Sequence, residues 1–412
     1  MKKKCCIVGL GYIGLPTAAL LADSGYQVLG FDLNERIIEK VNNGKTHIIE
    51  RNLNKLVSKV VSEGNLIAKL QPSQADNFLI TVPTPFRNDL KNSSNLPKPD
   101  LSYVFSAIDS IIPYLFKDNL IIIESTCPVG TTKEISEYIF KKTRFSKNEL
   151  KLAYCPERVL PGNTLDELKN NDRVIGGITK ASSEMASTLY SSFCNGALIQ
   201  TDSDTAEFVK LTENSFRDVN IAFANELSII ADKMGLNIRE VIRLANTQRR
   251  VDILQPSTGV GGHCIAVDPW FIASQYPDEA LLIKSARKIN DKKPDWVLKK
   301  IISTIKKLQV SKEIKNRKFN LGILGITFKP NVDDMRNSPA LEVVNKLLET
   351  KFDYVIRIND PYVENFQNIK ITPIDEVLEE SDFIAVLVGH NDYKNIEFKD
   401  KYYYDFCGVT DK

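Results

Sequence analysis

Six residues near the start of the chain, Gly9-Leu10-Gly11-Tyr12-Ile13-Gly14, constrain its fold more than any other feature. They follow a short apolar run, Cys5-Cys6-Ile7-Val8, and lead into an alanine- and leucine-rich stretch that reads as a helix. Each glycine at this spacing has a mechanical task. Gly9 permits the tight turn, Gly11 lets the backbone approach a diphosphate, and Gly14 lets the helix pack close to the strand. The helix N-terminus then presents N–H groups and a positive dipole end to an anion. A second apolar run, Val28–Asp32, ends on an acid 18 positions after Gly14. A carboxylate there accepts from a ribose 2′-hydroxyl and repels a 2′-phosphate, which favours NAD over NADP. Arg36 close by weighs the other way, since an arginine accepts a phosphate.

Further short apolar runs follow at Phe78–Val82, Leu120–Ser125, Leu152–Tyr154, Val174–Gly177 and Leu198–Gln200, separated by helical patterns. Buried runs alternating with helices predict a parallel sheet covered on both faces. From Asp204 to Met234 there is no Gly or Pro, and Phe208, Leu211, Phe223, Leu227 and Ile230 fall at helical spacing. That predicts a helix of about 30 residues, roughly 45 Å long, stopped by Gly235. A second alternating block opens near Asn320, with strands at Leu321–Leu324, Tyr354–Asn359 and Phe383–Val388 and a helix after Pro339. The basic stretch Lys306–Lys318 reads as a surface connector before it. The expected fold is α/β: two Rossmann-like parallel-sheet domains joined by a long central helix. Residues 1–200 form the dinucleotide domain, 201–300 a helical domain with the reactive loop, and 301–412 the second sheet domain.

Charge and cysteine usage exclude several classes. Lys plus Arg number 54 and Asp plus Glu 52, a net charge of +2, so there is no basic footprint for nucleic acid. No apolar run approaches the roughly 18 residues of a membrane span. Seven cysteines, an odd number, argue against a disulfide scaffold and point to the reducing cytoplasm. His47, His263 and His390 stand far apart and no Cys-x-x-Cys occurs, so no metal site is expected.

The chemistry concentrates in a few segments. Gly259-Val260-Gly261-Gly262-His263-Cys264-Ile265-Ala266-Val267-Asp268-Pro269 crowds three glycines against a cysteine, with an aspartate four residues on. Glycines there give the chain freedom to approach a ligand closely, and the polar setting suits a thiolate nucleophile. Cys5, Cys6, Cys155, Cys194 and Cys407 read instead as small buried apolar residues. On the long helix Lys210, Asn214 and Arg217 share one face, with Glu207 a turn earlier. Spacing alone makes this a solvated polar stripe, although Lys and Asn are good donors toward an oxyanion. Glu124-Ser125-Thr126-Cys127-Pro128 and Tyr154-Cys155-Pro156-Glu157-Arg158 each follow a predicted strand, where an α/β sheet places its ligands.

The segments GLGYIGLPTAA, TVPTPF, ESTCPVG, YCPERVLPG, NDRVIGG, KLTENSFRDVNIAFANELS, GVGGHCIAVDPWF and FKPNVDDMRNSPA resemble the UDP-sugar 6-dehydrogenases of the UDP-glucose/GDP-mannose dehydrogenase family nearly end to end. PERVLPG followed by NDRVIGG is more like the UDP-N-acetyl-D-mannosamine branch than the UDP-glucose branch. The resemblance implies an NAD-dependent four-electron oxidation of the sugar C6 alcohol to a carboxylate, serving surface polysaccharide synthesis. UDP-N-acetyl-D-glucosamine or UDP-glucose is the alternative substrate. Cys264 would hold the intermediate aldehyde as a thiohemiacetal and then a thioester, which water releases.

The same resemblance distributes the other roles. Lys210 and Asn214 would stabilise oxyanions, Asp268 with Thr126 would hold a water or proton path, and Glu157 would serve the hydrolysis. Arg158, Val159, Leu160, Lys210, Asn214, Arg217, Arg250, Gly261 and Lys329 would contact the UDP-sugar. Gly9, Gly11, Tyr12, Ile13, Gly14, Asp32, Arg36, Thr84 and Thr126 would contact NAD. Arg336 would reach the NAD of a neighbouring subunit, which implies a homodimer or higher homo-oligomer. Gln248 stands where the family pattern has a histidine, and Ser257-Thr258 replaces a Gly-Pro pair before the reactive loop.

Overall fold

The computed structural model describes residues 3–86, 96–159, 162–311, 317–350, 352–366, 369–398 and 401–410. The chain divides into two compact units, Met1–Glu213 and Asn214–Lys412. The expected long helix is present as Ser203–Met234 and runs from the first unit into the second.

The first unit is built on one sheet of eight strands. These are β1 (Lys4–Val8), β2 (Gln27–Phe31), β3 (Leu66–Lys69), β4 (Asn77–Ile80), β5 (Leu120–Ile123), β6 (Lys151–Tyr154), β7 (Arg173–Gly177) and β8 (Leu198–Asp202). Their order is β3-β2-β1-β4-β5-β6-β7-β8. Strand order reverses at β1, so a crevice opens beyond its carboxyl end, beside β4. Alternate β1 residues feed two core layers, because successive strand side chains point to opposite faces. Cys5 and Ile7 pack with Leu15, Ala18 and Ala19 of the helix Gly14–Asp23. Cys6 and Val8 pack with Val104, Ile108, Ile135 and Ile139 on the other face.

Two features depart from expectation. β3 was not visible as an apolar run, because only Leu66 and Ala68 are buried while Ile67 and Lys69 face solvent on this edge strand. The sheet is also not wholly parallel: β7 pairs antiparallel to β6 through Ala153 with Gly177 and Tyr154 with Gly176. The chain doubles back there and makes no crossover.

The second unit holds a four-stranded parallel sheet, β9 (Phe319–Leu324) and β10 (Tyr354–Asn359), then, after the small hairpin β11 (Asn365–Phe366) and β12 (Ile369–Lys370), β13 (Phe383–Val386) and β14 (Tyr402–Asp405). Its order is β10-β9-β13-β14. The connector reading of Lys306–Lys318 is corrected in part. Lys306–Ser311 are the last turns of a 31-residue helix, Leu281–Ser311, and 312–316 lie outside the described residues. Pro294 sits inside that helix, where it removes one backbone donor. The first half of the buried stripe carries three polar residues, Arg287, Asn290 and Lys293, beside Ala286 and Pro294, and the second half is apolar at Val297, Ile301, Ile305 and Leu308.

The two sheets repeat one local pattern. The Gly9 N–H donates to the Phe31 carbonyl at 2.8 Å, and the Gly325 N–H to the Asn359 carbonyl at 2.9 Å. Both glycines have positive φ, +98° and +85°. One residue on, Leu10 N–H donates to Asp32 Oδ2 at 2.9 Å and Ile326 N–H to Asp360 Oδ2 at 2.8 Å. Among the described residues no helix is long and apolar enough to cross a membrane.

Candidate active site

In the first unit the glycine turn is tied to β4. The Thr81 hydroxyl donates to the Gly9 carbonyl at 2.7 Å. A Cβ on Gly14 would lie 1.9 Å from that carbonyl oxygen, so only glycine lets the helix start there. At Gly11, by contrast, a Cβ would meet nothing within 4 Å. The turn is therefore closed against its own strands and open at the glycine where a diphosphate approaches, which fits NAD. Asp32 accepts N–H groups of Leu10 and Asn34, both at 2.9 Å, which fixes its carboxylate at the strand end. Tyr12 and Arg36 are exposed and Ile13 is half-buried. Thr84 donates to the Thr126 carbonyl at 2.8 Å, joining the loops after β4 and β5. His47, not anticipated, lies in this neighbourhood: its ring is bonded to the Leu10 backbone near Asp32, and burial lowers its pKa.

The segment after β6 carries a buried polar cluster. Glu157 Oε1 accepts the Arg158 N–H at 2.8 Å, and Oε2 lies 3.4 Å from the Arg173 guanidinium. Glu124 accepts from the Tyr190 hydroxyl at 2.5 Å, and burial pushes its carboxyl up to about 7. Cys155 is buried as expected, its thiol pushed up to about 12. Arg158 pairs with Glu213 at 2.5 Å and donates to the Asp172 carbonyl. Val159 is half-buried, and Leu160 lies outside the described residues.

The solvated-stripe reading of the long helix is wrong for most of its members. Glu207, Lys210 and Asn214 are all buried, and Arg217 is exposed. Glu207 accepts the N–H groups of Gly130 and Thr132 at 2.6 and 2.8 Å, and the Thr132 hydroxyl at 2.6 Å. It thereby satisfies the open donors of the helix Thr131–Lys142. Burial pushes its carboxyl up to about 7.

In the second unit Cys264 stands at the exposed end of its loop. Its carbonyl accepts from Val267 and Asp268 at 2.9 and 2.8 Å, a turn that leads into the helix Asp268–Gln275 with Pro269 in its first turn. Asp268 is buried and accepts from the Asn214 amide at 2.5 Å. The glycines have a packing task of their own. A Cβ on Gly262 (φ +81°) would lie 2.8 Å from the Phe328 ring, and one on Gly261 2.4 Å from the Asn337 carbonyl. They let the loop press against the chain's own Phe328–Pro339 segment. Behind the loop, Arg287 is wholly buried, bonded to Asp218 and to the Ile265 carbonyl at 3.4 Å. Thr258 donates to the Leu387 carbonyl at 2.7 Å and Ser257 to the Gly259 carbonyl at 2.8 Å, so the Ser-Thr pair fastens the loop by hydrogen bonds.

The remaining expected contacts are spread over this unit. Arg336 makes a two-point ion pair with Asp334 and lies 3.0 Å from His263 Nε2. Lys329 is half-buried, with its ammonium 5.8 Å from the Phe328 ring centre. Arg250 is exposed, its N–H held by Gln248 at 2.7 Å. Asp360, the counterpart of Asp32, is buried beneath His390, whose Nε2 lies 3.2 Å from it while Nδ1 accepts from Asn331.

Comparison with known proteins gives a consistent answer. Three models of the UDP-glucose/GDP-mannose dehydrogenase family match in order: the NAD binding domain at residues 3–194, the central domain at 204–292 and the UDP binding domain at 322–412. A UDP-N-acetyl-D-mannosamine dehydrogenase from Campylobacter jejuni is 45% identical, with 98% of this chain and 99% of that protein covered. An NDP-N-acetyl-D-galactosaminuronic acid dehydrogenase from Ralstonia nicotianae is 43% identical, with 95% and 92% covered. The solved structure of a UDP-D-ManNAc dehydrogenase from Pyrococcus horikoshii superimposes with a TM-score of 0.89 at 35% identity, covering 99% of this chain and 96% of that one. Three models in sequence and identities this high over nearly the whole length leave one conclusion: this chain belongs to the UDP-glucose/GDP-mannose dehydrogenase family.

Proposed function

We propose that this chain oxidises C6 of UDP-N-acetyl-D-mannosamine to the carboxylate, giving UDP-N-acetyl-D-mannosaminuronate for a surface polysaccharide. The observation that carries the reading is Cys264. Of the seven cysteines it is the exposed one, in a loop whose next helix begins at buried Asp268. A dehydrogenase that stops at an aldehyde needs no thiol, whereas one that goes on to the acid must hold the aldehyde between steps. NAD, when bound at the glycine turn, supplies the acceptor for both hydrides.

The chain's own groups do the rest. The Cys264 thiolate adds to the aldehyde carbon, and loss of the second hydride leaves a thioester. Water then displaces the sulfur. Lys210 and Asn214 serve as donors to the C6 oxygen as negative charge develops on it. Asp268 holds the Asn214 amide in place for that task, since an amide donating to a buried carboxylate has a fixed orientation. Thr126 shares the proton path with Asp268, and Glu157 takes the proton of the hydrolytic water. Arg158, Val159, Leu160, Arg217, Arg250, Gly261 and Lys329 hold the UDP-sugar.

The reading includes a homodimer or higher homo-oligomer in the cytoplasm, with Arg336 directed to a neighbouring subunit's NAD. Its support is an apolar stripe on the long helix: Phe216, Phe223 and Ile230 recur every seven residues and are all exposed. Replacing Phe216 and Phe223 together by Glu is expected to lower the mass measured by light scattering. An unchanged mass would remove that helix as the interface.

The deciding assay counts NADH released per UDP-N-acetyl-D-mannosamine consumed, with the N-acetylglucosamine and N-acetylgalactosamine analogues and UDP-glucose beside it. Two NADH per sugar with the mannosamine compound fastest is expected. One per sugar would overturn the thioester route, and faster oxidation of another sugar would overturn the substrate.

A further inference from the structure

Arg173 opens β7, outside every role assigned above. We propose that Arg173 is a positioning residue that holds Glu157 as an oriented carboxylate for the attack of water on the thioester. This rests on the reading just given for Cys264 and Glu157.

The geometry is that of a clamp. The Arg173 guanidinium lies 4.5 Å from the Tyr190 ring centre and 5.4 Å from that of Phe193, so two aromatic faces fix its plane. From there it reaches Glu157 Oε2 and the Leu168 carbonyl, both at 3.4 Å, and the Cys155 sulfur at 3.8 Å. Glu157 Oε1 is taken by the Arg158 N–H. Glu157 is thus gripped at one oxygen by backbone and at the other by a charge, with little freedom to turn. Both partners are nearly withdrawn from water, with side chains 5% and 9% exposed. A buried ion pair is weak support for stability compared with apolar residues of the same volume, so stability alone does not account for it.

The charges around the pair point the same way. Glu157 is faced by Cys155 and the Arg158 N–H on its own segment, by Arg173 on β7 and by Glu124 after β5, while Tyr190 on the helix Lys180–Tyr190 meets Glu124 and Arg173. Cys155 and Tyr190 are pushed up by burial and stay neutral. Glu124 is pushed up by burial and takes the Tyr190 hydroxyl, so it competes poorly for the guanidinium. Although burial works against it, Arg173 stays charged because Glu157 and its other neighbours favour the cation. The guanidinium therefore has Glu157 as its ion-pair partner, at 3.4 Å. The step balances as follows. The water oxygen bonds to C6 and one water proton passes to Glu157. The C–S bond then breaks, Cys264 sulfur leaves with the electron pair, and the second proton goes to that sulfur or to solvent.

The test is rapid-mixing kinetics on Arg173→Lys and Glu157→Gln, with intact mass of the acid-quenched enzyme. Arg173→Lys is expected to release two NADH per site at close to the parent rate. Steady turnover should then fall at least tenfold, with the sugar accumulating on Cys264 as thioester. The acid limb of the hydrolysis should move to higher pH. The double variant should be no slower than Glu157→Gln. Equal slowing of NADH release and hydrolysis, or losses that multiply in the double variant, would overturn the proposal. If Arg173→Lys fails to bind NAD, Phe193→Leu loosens the clamp without touching charge. It too should accumulate thioester, and an absence of thioester there would overturn the proposal. A parent enzyme yielding one NADH per sugar would instead refute the underlying thioester chemistry.

Discussion

A side chain's surroundings decide its chemistry here more than its identity does. Cys264 is exposed, whereas Cys155 is buried with its thiol pushed up to about 12. Cys264→Ala is expected to abolish acid formation while leaving NAD binding intact, because the glycine turn belongs to the other compact unit. Isothermal titration with NAD beside an assay for uronate checks both halves. Gly262 is the second residue whose value is local. Its positive φ and the Phe328 ring together forbid a side chain. Gly262→Ala should cost about 1–3 kcal/mol of stability in urea melts and change the alkylation rate of Cys264. The cysteine loop was legible in the sequence because glycines crowding a cysteine are unusual. The partner of those glycines was not, since Phe328 is some sixty residues away and nothing local announces it.

Secondary elements show the same limit from the other side. The helix Ser203–Met234 was legible from its apolar period and its lack of breakers. The helix Leu281–Ser311 is nearly as long but went unread, because a proline interrupts it and the first half of its buried stripe carries Arg287, Asn290 and Lys293. Periodicity arguments assume that the buried face is apolar, and here three of its nine residues are not. Glu157 was legible as a polar residue after a strand, but its grip by Arg173 depends on an antiparallel strand pairing that the apolar pattern does not reveal.

One consequence of that polar stripe is measurable. Burial lowers the Lys293 pKa from 10.5 to about 7, with Asp232 opposing and Arg239 adding to the shift. Lys293 donates to Ser228 and to the Asn225 carbonyl. The unfolded lysine keeps its proton to near 10.5, so between about pH 7 and 10.5 the unfolded chain binds more protons than the folded one. In that window the contribution of Lys293 makes stability rise with pH, by on the order of a few kcal/mol, and below pH 7 its cost is fully present. Thermal melts of Lys293→Met should be flatter than the parent over that window. An identical slope would mean that the lysine is not the group responsible.

At the scale of the whole molecule, one sheet plan serves twice in a single chain. The glycine at the end of the first strand, its bond to the neighbouring strand and the acid one residue beyond that strand recur as Gly9, Phe31 and Asp32 and as Gly325, Asn359 and Asp360. The plan was legible from alternation, and the diverging fates of the two acids were not. Asp32 is partly exposed at its strand end, whereas His390 and the N–H groups of Ile326 and Thr327 enclose Asp360. The second copy has traded an acceptor for a clasp. Counting equivalents makes the trade visible: saturation with NAD should stop at one molecule per polypeptide, and a second equivalent would mean that the clasp opens. One equivalent at saturation would mean that a chain can duplicate its architecture without duplicating its appetite for cofactor.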